Sequence, residues 1–166
     1  MLNGGELIDS VIIIKGNNNN VTIEKGVKLR KAKIIIRGEN CSLTIGEETT
    51  FGGIRIVNVG KNNAITIGNK CLFADNVEIW ASDTHSIYDI NGNFINPELP
   101  VTIGDNVWIG SNVKILKGVS ISDGAIVGMN TLVTKNIAGR TLNIGSPNRC
   151  IREEVSWTLK YDNELV

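Results

Sequence analysis

The chain has 166 residues, only 5% of them aromatic, and 17 basic residues balance 17 acidic ones. That balance excludes the general polycationic surface of a nucleic-acid or anionic-lipid binder, and one repeat pattern running through most of the chain points to a single domain over residues 1–166. Cys41, Cys71 and Cys150 are widely spaced without a CxxC pair, which reads as reduced structural thiols in a cytoplasmic protein.

In chain order, the N-terminal MLNGGELIDSVIIIKG has no cationic start, and its apolar run covers only Val11 to Ile14. It is read as neither signal peptide nor membrane span. A repeat follows: IIIKGNNNNVTI ends at Ile23, IIIRGENCSLTI at Ile45 and IVNVGKNNAITI at Ile67, a period of 22. The Asn and Gly clusters mark corners that need left-handed backbone. The next copy closes at Ile103, 14 residues late, so an insertion over about 81–100 interrupts the pattern. It carries Asp83 and the only histidine, His85.

Beyond Ile103 the period shortens to six. Ile103, Ile109, Ile115, Ile121, Val127 and Val133 fill one position of the hexad, and Val107, Val113, Val119, Ala125, Thr131 and Ile137 fill another. A helix of 3.6 residues per turn cannot hold both columns on one face, whereas short strands joined by tight corners can. Such repeats stack into a parallel β-solenoid with aliphatic ladders inside. Three six-residue sides per coil predict roughly six coils over about 12–138, or about 30 Å of stack at the ordinary strand spacing. The period does not set the handedness. From about 146 to 166 the hexads cease, and Ile151, Val155 and Leu159 fall four apart, which predicts a short C-terminal helix capping the stack.

A lone histidine beside one aspartate, with no second His, Cys or Glu in the same segment, does not make a zinc site. It can remove a proton, since an imidazole titrates at about 6.5 and suits general-base work near neutral pH. No motif supplies a Ser or Cys nucleophile, which favours direct transfer over a covalent enzyme intermediate.

The segments ITIGNKCLFADNVEI and VTIGDNVWIGSNVKILKGVSISDGAIVGMNTLVTKNI, the loop SDTHS, VTK and the ending GSPNRCIR together resemble the hexapeptide-repeat O-acetyltransferases. The likeness spans roughly residues 43–152 and is most specific toward enzymes of bacterial capsule, lipopolysaccharide and exopolysaccharide loci. It implies an all-β, left-handed parallel β-helix assembled as a homotrimer, with acetyl-CoA as co-substrate and no metal. The acceptor it implies is a sugar or polysaccharide.

It also implies that His85 is the general base and that Trp108 donates its indole N–H to the departing thiolate; packing at a coil corner is the other reading of Trp108. Asp83 is read as orienting His85, as contacting the acceptor, or as a solvated loop residue. On the coenzyme side the resemblance implicates Ser111 and Met129 beside the pantetheine arm, and Lys135, Arg149 and Arg152 at the phosphates. This chain has SPNR where many relatives have GNPAK. Alternatives are an amino-sugar-nucleotide or small-molecule acceptor, a carbonic-anhydrase-like metal enzyme, and a noncatalytic solenoid scaffold.

Overall fold

In the computed structural model, residues 3–160 are described, and they form strands, turns and loops without a helix. The strands build three sheets wrapped around one core: an eight-stranded sheet from Glu6–Ile8 to Arg149–Arg152, a six-stranded sheet from Val11–Asn17 to Leu132–Val133, and a five-stranded sheet from Asn20–Ile23 to Ser120–Ile121. The chain visits the three in turn, so each circuit is one coil and there are about six. All neighbouring strands run parallel except the last pair, Leu142–Ile144 with Arg149–Arg152.

Register explains why the repeat is aliphatic. On the six-stranded face Ile12, Ile34, Ile56, Ile79, Ile115 and Val133 lie one above another. On the five-stranded face Ile23, Ile45, Ile67, Ile103 and Ile121 do the same. On the eight-stranded face Leu29 is followed by Phe51 and Phe73, whose rings stack at 4.5 Å, and then by Ile109 and Val127. Every member of both hexad columns is buried. The one hydroxyl among them, Thr131, satisfies itself by donating to the Gly128 carbonyl at 2.7 Å.

The longer early coils spend their extra residues on strand as well as corner. Ala32–Glu39 and Ile54–Lys61 each have 8 residues, against 3 in Lys114–Leu116. Their ends turn through Asn18, Asn40 and Asn62 at positive φ, and Asn40 Nδ2 donates to Asn62 Oδ1 at 3.0 Å. Gly38 is required there: its φ is +135°, and an added Cβ would run into the Gly60 carbonyl oxygen.

Across the insertion the sheets do not break. Ile67 pairs directly with Ile103 and Phe73 with Ile109, so the residues between Trp80 and Val101 are thrown out at the corner joining the six- and five-stranded sheets.

The C-terminal expectation is corrected. Arg149–Arg152 is an antiparallel strand, residues 153–160 are irregular, and 161–166 lie outside the described residues. The open edge of Leu142–Ile144 supplies backbone partners that a helix would forgo, and Glu154 takes a φ of +56° that a helix does not admit. Val155 and Trp157, two apart rather than four, are the half-buried residues of this tail.

Cys41 and Cys71 are buried and Cys150 is exposed, all as free thiols. Burial pushes the Cys71 thiol up to about 11, against the opposing pull of a Val107 backbone hydrogen bond.

Candidate active site

The base of the inserted loop is set by buried asparagines. Asn58 stands where the register would place another Ile above Ile14 and Ile36, and its amide donates to the carbonyls of Ser42 and Asn63 at 2.9 and 3.2 Å. Asn63 in turn donates to the Ala81 carbonyl at 2.9 Å, holding the residue from which the loop departs. Thr84, at a φ of +63°, donates its backbone N–H to Ser82 Oγ at 3.0 Å. This kink turns the chain outward just before His85.

The loop closes through Asn96. Its side-chain amide donates to the His85 carbonyl at 2.9 Å and to Asp83 Oδ2 at 2.8 Å, while its Oδ1 accepts from the Ile87 N–H at 2.6 Å. Lys117, on the next coil, donates to Asp83 Oδ2 at 2.5 Å and to the carbonyls of Asn96 and Pro97 at 3.2 and 3.0 Å. The Lys117 hydrogen bond holds the Asp83 carboxyl below the usual carboxylate range, with Asn96 adding to it and burial opposing it. Farther out, Tyr88 and Phe94 bridge a small hairpin whose turn is organised by Asp89 accepting from Asn91 and Asn93.

A pocket of about 80 Å³ results, lined by Val59, Ser82, Asp83, His85, Phe94 and Glu98 among others. His85 is exposed at its rim, and its imidazole has no hydrogen-bond partner among the described residues. The Asp83 carboxylate is engaged by Lys117 and Asn96 and makes no hydrogen bond to the imidazole. Glu98 is the other carboxylate, resting over Gly60, where any Cβ would collide with it.

Most of the residues assigned to the coenzyme lie elsewhere. Trp108 belongs to Trp108–Ile109 on the eight-stranded sheet, points outward and is 40% exposed. Ser111 and Met129 share the corner between the eight- and six-stranded sheets, where the Asn130 N–H donates to the Ser111 carbonyl at 2.9 Å. Met129 is exposed. The backbone at Lys135 is tied to the residue preceding Arg149, since Asn148 Oδ1 accepts from the Thr134 and Lys135 N–H groups at 3.0 and 3.1 Å. Arg152 opposes Leu142 in the antiparallel pair. The register pairing Lys114 with Leu132 carries Lys135 onto the column of Lys117, hence onto the loop's corner.

None of Trp108, Ser111, Met129, Lys135, Arg149 or Arg152 lines the His85 pocket. Lys117, Asn96, Glu98 and the Asn58–Asn63 pair escaped the sequence reading. Among the described residues there is no group of three or more His, Cys, Asp or Glu placed to hold a metal ion, and no helix long and apolar enough to cross a membrane.

The hexapeptide repeat of succinyl-transferase matches residues 100–135. The solved polySia-specific acetyltransferase NeuO superposes with a TM-score of 0.78 at 30% identity, over 97% of this chain and 79% of that one. The chain belongs to the hexapeptide-repeat acetyltransferases. Its solenoid is the left-handed β-helix of that family. The galactoside O-acetyltransferase of Escherichia coli K12 is 39% identical over 82 residues, 49% of this chain and 40% of the relative, so the match spans well under half of that protein. A galactoside acetyltransferase solved in complex with coenzyme A gives a TM-score of 0.54 at 29% identity, covering 85% of this chain and 64% of that one.

Proposed function

We propose that this chain transfers the acetyl group of acetyl-CoA to a hydroxyl of a sugar or bacterial surface polysaccharide, with His85 as general base. The observation that carries the reading is the placement of the chain's one histidine at the rim of a pocket built by the long interruption of the repeat, its imidazole without a hydrogen-bond partner among the described residues. Kinship with a polySia-specific acetyltransferase and with an enzyme solved with coenzyme A supports the donor and the acceptor class.

In the proposed step an imidazole nitrogen takes the proton of the acceptor hydroxyl as that oxygen attacks the thioester carbonyl. The carbon–sulfur bond then breaks, the acetyl ester forms, and the coenzyme leaves as a thiolate that the Trp108 N–H can receive. No enzyme group is acylated. Asp83, committed to Lys117, acts by fixing the loop that presents His85, and Glu98 is the carboxylate free to accept a hydrogen bond from the acceptor. Lys135, Arg149 and Arg152 offer charge-assisted contacts to the coenzyme phosphates. Free buried thiols suit a reducing compartment, and we place the reaction in the cytoplasm.

Ser111 and Met129 sit on a different corner from His85, and a second copy would bring such a corner to each base. The exposed apolar hairpin of Ile87, Tyr88, Ile90, Phe94 and Ile95 supplies contact surface for it. A homotrimer with sites between subunits meets both needs.

Mixing a His85→Ala chain with a Ser111→Trp chain, each inactive alone, then unfolding and refolding them together tests this. A shared site restores about one quarter of the active sites, since each intact half is present about half the time. A mixture no more active than its parents, with subunit exchange demonstrated, places base and coenzyme on one chain and refutes the shared site.

A further inference from the structure

Trp157 was absorbed by neither the repeat nor the site, yet it is the most firmly held residue of the tail. Its ring centroid lies 6.0 Å from that of Trp108, with the planes tilted by 42°, a favourable aromatic geometry. Its indole N–H donates to the Asn106 carbonyl at 2.7 Å, two residues before Trp108. Upstream, the Val155 N–H donates to the Arg140 carbonyl at 3.0 Å. The tail therefore runs back down the stack from the coil of Arg140 to that of Asn106.

This path crosses the outward column of the eight-stranded sheet, where Leu142, Ile126, Trp108 and Leu72 lie in register. Ile126 is buried although it points away from the core. Trp108 is covered on one side and open on the other. Below Trp157 a cavity of about 390 Å³ continues toward Leu72, Lys70 and Glu48.

Trp108 points outward from a two-residue strand, and Trp157 supplies a wall for its indole. We propose that Trp157 is a positioning residue for Trp108: it holds the indole in one orientation so that its N–H faces the thioester end of acetyl-CoA. This rests on the reading of Trp108 given above. The tail thereby acts on the chemistry without touching it, since a leaving-group donor displaced by about 1 Å can cost up to about 100-fold in rate.

The test uses the full-length chain and the variants Trp157→Ala, Trp157→Phe and Trp108→Phe. Circular dichroism of the ligand-free protein should show an exciton couplet from the paired indoles, lost in all three. In steady-state kinetics Trp157→Ala should lower kcat about 10-fold or more, with the acceptor KM unchanged and the thermal midpoint near that of the parent. Trp157→Phe should recover most of that loss, because a ring is restored even without the hydrogen bond to Asn106. Parental kcat in Trp157→Ala overturns the inference and leaves the acetyl-transfer reading standing. Parental kcat in Trp108→Phe overturns the inference together with the thiolate-donor role of Trp108, and no coenzyme binding by the unaltered chain overturns the acetyl-transfer reading as well.

Discussion

In the coils after Val101 both aliphatic columns are wholly buried, whereas in the loop between Ala81 and Pro100 six apolar residues, Ile87, Tyr88, Ile90, Phe94, Ile95 and Leu99, stand exposed. The coils are held by volume, with each Ile or Val resting on its counterpart one circuit away. Polar contacts hold the loop instead: Asn63 at its root, Asn96 across its neck and Lys117 against its flank. Removing any loop side chain outside these contacts should leave the ladders whole, so stability and the proposed general base reside in separable parts of the molecule.

The sharpest way to break that separation is to strike the ladder. Phe73→Ala removes half of the stacked aromatic pair and should cost about 3–5 kcal/mol of unfolding free energy, read by denaturant titration. The surviving folded fraction should bind CoA as the parent does. The converse strike is His85→Ala, which should lower acetyl transfer by about 100-fold or more while leaving the unfolding midpoint and CoA affinity in place. Parental turnover in that variant would remove the base from the mechanism. A destabilised but active variant would show that loop and ladder are one unit.

A smaller effect probes the contacts between the two parts. Lys117→Met frees the Asp83 carboxylate, and acetyl transfer should fall about 10-fold through misplacement of His85. Stability should change by no more than about 1 kcal/mol, because Asp83 is 43% exposed and water screens the pair. The sign with pH follows from the lowered Asp83 pKa. Its contribution is complete above the ordinary aspartate value of about 4 and is lost as pH falls through the lower folded value. In Lys117→Met that increment of acid sensitivity should vanish from the stability–pH curve, and its persistence would assign it to another carboxylate.

Most of the stack was legible because a solenoid writes its geometry as a period. The hexad columns from Ile103 to Ile137 are all buried as their spacing required, and the delay between Ile67 and Ile103 marked the loop. The tail misled because Ile151, Val155 and Leu159 fit a helical spacing, while the deciding factor, an unpaired edge on Leu142–Ile144, exists only once the stack is built. The role of Asp83 was illegible for a similar reason. Its partner Lys117 lies 34 residues away in sequence, and only the register of coils brings the two together. Trp157 carried no period, and its 51-residue reach to Asn106 follows from the path of the tail alone.

The burial of Cys71 makes the coil its own clock. Burial holds the Cys71 thiol well above its ordinary range, so little reactive thiolate is present at pH 7, even before steric shielding is counted. Alkylating reagents and oxidants should therefore consume the exposed Cys150 first. Cys71 is modified only when its coil opens, so its labelling rate measures the frequency of that opening, and the solenoid carries a built-in reporter of its own breathing.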